Sequence, residues 1–98
     1  MEVIKKAEGA KLELTVIGRL DTTTAPALEN VIKEEIGGVE DLKLDFAELE
    51  YVSSAGLRVL LSAQKIMNKQ GSMVIRNVNP DIMEVFDITG FSDILTIE

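Results

Sequence analysis

The order of apolar and polar positions along the 98 residues predicts eight elements. Residues 2–7 read as a short strand, and Glu8-Gly9-Ala10 as a turn. Lys11 to Ile17 alternates as a second strand, with Leu12, Leu14 and Val16 on one face and Glu13 and Thr15 on the other. The connection is short, so the two strands should form an antiparallel hairpin. Gly18 to Thr24 is polar and turn-like. A helix is predicted from about Thr24 to Ile36, with Leu28, Val31, Ile32 and Ile36 as its buried stripe. Thr23 or Thr24 is its cap, and Pro26 lies in the first turn, where a missing N–H costs nothing. Gly37-Gly38 ends it.

Asp41 to Phe46 alternates as a third strand, with Leu42, Leu44 and Phe46 against Lys43 and Asp45. Ala47 to Val52 reads as a loop that turns Leu49 and Tyr51 inward. A second helix is predicted over Ala55 to Gln70, stopped by Gly71, and a fourth strand over Ser72 to Val78. Asn79-Pro80 is a cap followed by a first-turn proline. The third helix then runs to about Thr89, with Ile82, Val85, Phe86 and Thr89 at helical spacing and Gly90 as its stop. Leu95 to Glu98 is a candidate last edge strand.

Helices between strands imply parallel crossovers. A parallel strand covered on both faces is apolar nearly throughout, yet the second and third strands alternate. All three helices should therefore pack on one face. The fold class is α/β: one domain over residues 1–98, with a mixed four- to five-stranded sheet. The alternation argues against a doubly covered Rossmann or flavodoxin-like sandwich.

Composition narrows the chemistry. The formal charge is −7, and the longest basic stretch is Lys5-Lys6, so no basic stripe exists for direct nucleic-acid binding. The acidity serves solubility, or matches a partner with a basic docking surface. No apolar run reaches the ~18 residues of a membrane span, and Met1 to Ala10 lacks a signal-peptide core. A cytoplasmic protein without a membrane attachment is expected. There is no cysteine and no histidine, which removes disulfides, thiolate and histidine metal sites, cysteine nucleophiles and Ser-His-Asp triads. No metal and no cofactor is expected. A P-loop is absent, because no Gly-x-x-x-x-Gly-Lys occurs. A phosphoaspartate receiver would want an acidic pair after the first strand and a late lysine, and neither is evident.

Three segments are expected to converge at one end of the sheet: Arg19 to Thr24, the strand end at Asp45, and Tyr51 to Leu57. Working residues of α/β sheets gather at this end. A helix N-terminus there has free N–H groups and a positive dipole end. Gly56 leaves the backbone of the first turn open to close approach. Serine is a common helix cap, so Ser54 reads either as a cap alone or as the centre of a working surface. Asp21, Thr22, Thr23 and Thr24 likewise read as turn and cap residues or as part of that surface. In the second helix Arg58, Ser62, Lys65 and Lys69 form a polar line, and Leu57, Leu60, Leu61 and Met67 a core stripe. Val59, Ala63 and Ile66 form a second apolar line, which either packs on a neighbouring helix or is exposed for docking.

These segments together resemble the STAS family, and within it the bacterial anti-sigma factor antagonists. The match rests on Gly18-Arg19-Leu20-Asp21-Thr22, Thr24-Ala25-Pro26-Ala27-Leu28, Leu44-Asp45-Phe46, Tyr51-Val52-Ser53-Ser54-Ala55-Gly56-Leu57 and Val85-Phe86-Asp87-Ile88-Thr89-Gly90-Phe91. The resemblance implies a non-catalytic binding protein. Its unphosphorylated form binds an anti-sigma factor that is also a serine kinase, and so frees a sigma factor. It implies phosphorylation at Ser54, with Ser53 as the rival acceptor, and resetting by a PP2C-type phosphatase. The implied docking surface is Asp21, Thr22, Thr23, Thr24, Ser53, Ser54, Gly56, Arg58, Val59 and Ser62. Many members have Asp where this chain has Ser53, and Ser or Thr where it has Ala55. An interaction subunit of another assembly, such as a lipid transporter or a stress-sensing complex, is the alternative.

Overall fold

The computed structural model describes residues 1–98. Strands β1 (Glu2–Glu8) and β2 (Lys11–Leu20) form the predicted hairpin, with Glu8 opposite Lys11 across a two-residue turn. Helix α1 (Ala25–Glu35) leads to β3 (Asp41–Asp45), which lies parallel to β2. Strand β4 (Leu49–Val52) then runs directly into helix α2 (Ser54–Gln70). Strand β5 (Ser72–Arg76) pairs parallel to β3, and helix α3 (Pro80–Thr89) follows. The sheet order is β1-β2-β3-β5, with β4 also on β2.

In β2, β3 and β5 the register aligns Leu12, Leu42 and Met73 in one row and Leu14, Leu44 and Ile75 in the next. All six are buried, and they join α1, α2 and α3 in one core of 24 apolar side chains. The opposite face carries no helix. It carries two rows of charges that alternate in sign, Lys6, Glu13 and Lys43 in one and Glu8, Lys11 and Asp41 in the next, with Ile4, Thr15, Ile17 and Val74 also on this face. The one-sided layering expected from strand alternation is thus present.

Several boundaries differ from the sequence expectation. β2 runs on to Leu20, where a turn was expected, because β4 pairs with its last three residues. β4 itself was expected to be a loop. It is short and bulged: Gly18 faces Leu49, and Arg19 faces Tyr51, so Glu50 is extra. Its burial runs buried, exposed, exposed, buried, which breaks the period of two. Gly18 sits at φ +100° at this bulge, where a side chain is strained, and Met1 lies against it. Leu49 is buried as expected, but Tyr51 is 41% exposed, stacked beneath the Arg19 guanidinium at 4.3 Å. β5 stops at Arg76, before the predicted Val78, and Asn77 takes a left-handed conformation at φ +58°. The C-terminal strand is reduced to one parallel bridge, Ile75 with Ile97, after a 3-10 turn over Phe91–Asp93. At α3 the Asn79 side chain accepts from the Ile82 N–H at 2.8 Å, and Gly90 closes the helix in the left-handed region.

Candidate functional site

Leu20 and Val52 are paired at the ends of the parallel strands β2 and β4, and the Ser53 N–H donates to the Leu20 carbonyl at 2.8 Å. The chain therefore leaves the sheet twice at one spot. One exit forms the Asp21–Thr24 loop and α1, the other Ser53 and α2. A shallow groove between the two helix starts is lined by Thr22, Ala25, Pro26, Glu29, Ala55, Arg58 and Val59.

The first loop is held by its own polar groups. Asp21 Oδ1 accepts from the Thr23 hydroxyl at 2.7 Å and from the Thr23 and Thr24 N–H groups at 3.0 and 3.1 Å. Thr24 Oγ1 accepts from the Asp21 N–H and donates to the Arg19 carbonyl, both at 2.8 Å. Thr24 is the N-cap residue by position, but its side chain does not cap α1; it ties the loop to the strand end. The Thr23 hydroxyl, with backbone donors behind it, holds the Asp21 carboxyl below its ordinary 3.8 against the partial loss of its hydration. Asp21 is thus an anion fixed within its own loop. Arg19 approaches it loosely, at 3.9 Å.

The second exit divides two roles between adjacent serines. α2 starts at Ser54, so the cap is Ser53: extended backbone at φ −97°, ψ 174°, with Oγ accepting from the Gly56 N–H at 3.3 Å. Ser54 is the first helical residue, exposed, and its hydroxyl has no hydrogen bond. Ser54 is therefore not the cap of α2, because Ser53 fills that position.

Three expected site features are corrected. Gly56 does not open the backbone to an outside partner, because it is buried. A Cβ there would lie 2.7 Å from Leu20 Cγ and 3.0 Å from Val52 Cγ2, so glycine serves internal packing between α2 and the strand ends. Val59 is 5% exposed and Ala63 1%, so most of the second apolar line packs within the fold, where α1 lies beside α2. Val59 only floors the groove, while Ile66 stays 37% exposed. Asp45 does not join the site. It pairs with Thr15, roughly 15 Å down β2 from Leu20. There it accepts from the Ala47 N–H and the Asn77 amide.

Thr22, Thr23, Ser54, Arg58 and Ser62 are exposed on this end of the molecule, with Asp21 and Thr24 half-buried among them. Sequence reading missed the buried Gln64, which takes a core position of α2 that period alone assigns to an apolar residue. No group of three His, Cys, Asp or Glu side chains is placed to hold a metal, and no helix is long and apolar enough to cross a membrane.

The groove is open and shallow, with the Asp21–Thr24 loop and the exposed Ser54 at this end of the molecule. The chain belongs to the STAS domain family, whose model matches residues 2–98. It is similar to the anti-sigma-B factor antagonist of Listeria monocytogenes, 30% identical over 97% of this chain and 85% of the relative. The anti-sigma-B factor antagonist of Bacillus subtilis is 30% identical over 88% of this chain and 80% of the relative. In fold the chain is similar to the anti-sigma factor antagonist SpoIIAA in its unphosphorylated form, with a TM-score of 0.78, 18% identity, and 99% of this chain and 87% of that one covered. SpoIIAA of Bacillus in its phosphorylated form matches with a TM-score of 0.77 at 18% identity, over 99% of this chain and 91% of that one.

Proposed function

We propose that this chain is an anti-sigma factor antagonist switched by phosphorylation of Ser54. Unphosphorylated, it docks on an anti-sigma factor that is also a serine kinase, and a sigma factor is released. Docking uses the Asp21–Thr24 loop, Ser54, Arg58 and Ser62. Phosphorylation by that kinase ends the contact, and a PP2C-type phosphatase restores it. The relatives named as antagonists support the first part of this reading. The observation that carries the second part is the division of labour between the serines: Ser53 caps α2, and Ser54 beside it is exposed with a free hydroxyl.

The physics separates folding from binding. A phosphate at a helix N-terminus meets free N–H groups and a favourable dipole, so the domain stays folded. At a packed contact the same group is bulky and doubly charged. One unit of like charge opposite a partner carboxylate at ~4 Å costs about 4 kcal/mol at the effective dielectric of a protein surface. That is roughly a thousandfold in affinity.

The test is incubation with the candidate kinase and ATP, followed by mass mapping and binding titration. Ser54→Ala should accept no phosphate and bind constitutively. Ser54→Asp should bind weakly with near-native stability, and Ser53→Ala should still be phosphorylated. Stoichiometric labelling of Ser54→Ala at Ser53, or native affinity of Ser54→Asp, overturns the proposal. Co-purification with a membrane transporter in place of a kinase-fold ATPase would favour the alternative assembly.

A further inference from the structure

Arg58 stands one helical turn after Ser54, and both residues are exposed on α2. Side chains four apart on a helix share a face, with Cβ atoms about 5–6 Å apart. Arg58 is also unengaged. The ion pairs of the molecule are Lys5–Glu35, Arg19–Asp21, Lys33–Glu29 and Arg76–Glu98, and none involves Arg58. Residues 54–70 contain no Asp or Glu, so no acid on its own helix competes for the guanidinium. One acid of the neighbouring elements lines the groove, and a second stands in the Asp21–Thr24 loop beside it. Glu29 on α1 is taken by Lys33 at 3.1 Å, and Asp21 is satisfied by Thr23 and Thr24. The other cation near this end, Arg19, is stacked on Tyr51.

We infer that a phosphoryl group on Ser54 is bound within the chain by Arg58, so one guanidinium serves the docking face in the unmodified form and the phosphate in the modified one. This rests on the reading of Ser54 as the phosphorylated residue. Three effects act in the same direction. An acid four residues N-terminal to a base is the favourable order on a helix. The guanidinium fork gives two parallel N–H bonds to phosphate oxygens. The dianion sits at the positive end of α2. Ser53 has no equivalent, because the residue four positions on is the buried Leu57. Phosphorylation therefore changes the docking face twice: it adds an anion and withdraws a cation. Arg58 acts as a positioning residue for the phosphoryl group.

The experiment uses the full chain with phosphoserine encoded genetically at position 54, so no kinase is needed. A failure of the pairing is then distinct from a failure of the phosphorylation reading, which the kinase assay tests separately. The phosphate is titrated by 31P NMR, in the native background and with Arg58→Ala, Arg58→Gln and Arg58→Lys. A free phosphoserine ionises a second time near ~6. With Arg58 present the value should fall by about 0.5 or more relative to Arg58→Ala, since an adjacent cation favours the dianion. Arg58→Gln should match Arg58→Ala, and Arg58→Lys should restore part of the difference. The Arg58 Nε–H resonance should shift on phosphorylation at 54 and stay still with phosphoserine at 53. The helix dipole remains in every variant, so it does not produce the difference. Identical 31P titrations with and without Arg58, or an unmoved Nε–H resonance, overturn the inference.

Discussion

One position separates a serine whose hydroxyl is spent on the backbone from one whose hydroxyl is free, and this predicts opposite mutational profiles. Ser53→Ala removes the cap from α2 and should cost about 0.5–1 kcal/mol, the low end for a cap because its bond is long at 3.3 Å. Ser53→Asp keeps an acceptor, adds charge at the positive helix end, and should melt at or above the native protein. Thermal melts that rank Ala above Ser would show that Ser53 does not cap. Asp21 makes a prediction in pH. Its folded-state ionisation lies below the ordinary 3.8, so its contribution to loop order is present above that value and lost as pH falls through the depressed one. Thr23→Val removes the largest cause and should move the Asp21 carboxyl back up, read by 13C NMR titration. No movement would mean that the backbone donors alone hold it.

At the scale of elements, α2 carries the most weight. It is the longest helix, and it meets α1, β4 and β5. Two glycines let it sit so close. Gly56 fits against Leu20 and Val52, and at Gly71 a Cβ would lie 1.9 Å from the Glu40 carbonyl oxygen. The Gln70 amide also donates to the Ile36 and Val39 carbonyls, both at 2.7 Å, tying the end of α2 to the end of α1. One position in this helix is poorly satisfied. Gln64 is 5% exposed, and its Nε2 reaches Asn68, while its Oε1 has no hydrogen-bond partner. A buried unpaired oxygen costs about 1–3 kcal/mol, more than one side-chain hydrogen bond returns. Gln64→Met, of similar length and shape, should therefore raise stability by about 1 kcal/mol in urea unfolding. A loss of the same size would show that the amide has a partner worth keeping.

For the whole molecule, the uncovered face of the sheet poses the question of solubility. Its charges form a grid of opposite neighbours, with Lys43 beside Glu13 across the strands and between Asp41 and Asp45 along its own strand. Facing like charges destabilise a sheet. Lys43→Glu should cost about 0.5–1 kcal/mol, a fall of roughly 2–8 °C in melting temperature for a domain of this size. Partner binding should be unchanged, because the proposed docking surface, the Asp21–Thr24 loop and the start of α2, lies at the strand ends. Reduced binding with unchanged melting would assign this face to the partner instead. A net charge of −7 on so small a chain also makes the basic line Arg58, Lys65 and Lys69 a local exception, confined to one helix.

Much of this architecture is written in short-range pattern. Alternation in β2 and β3 determined that only one sheet face is covered, since a covered second face would need apolar residues at Glu13, Lys43 and Asp45. The caps and stops at Asn79, Pro80 and Gly90 act within one turn, so the sequence alone places α3. What the tertiary structure decided depends on neighbours distant in sequence. β4 exists because Gly18–Leu20 extends β2 to meet it, and four residues with a bulge carry no period of their own. That pairing moves Asp45 away from the site and brings Ser53 to the Leu20 carbonyl, so the cap falls on Ser53 and frees Ser54. Val59 and Gly56 are buried because α1 and the strand ends close over them, which no property of either residue discloses. Burial is a relation between segments, and only the folded chain sets it.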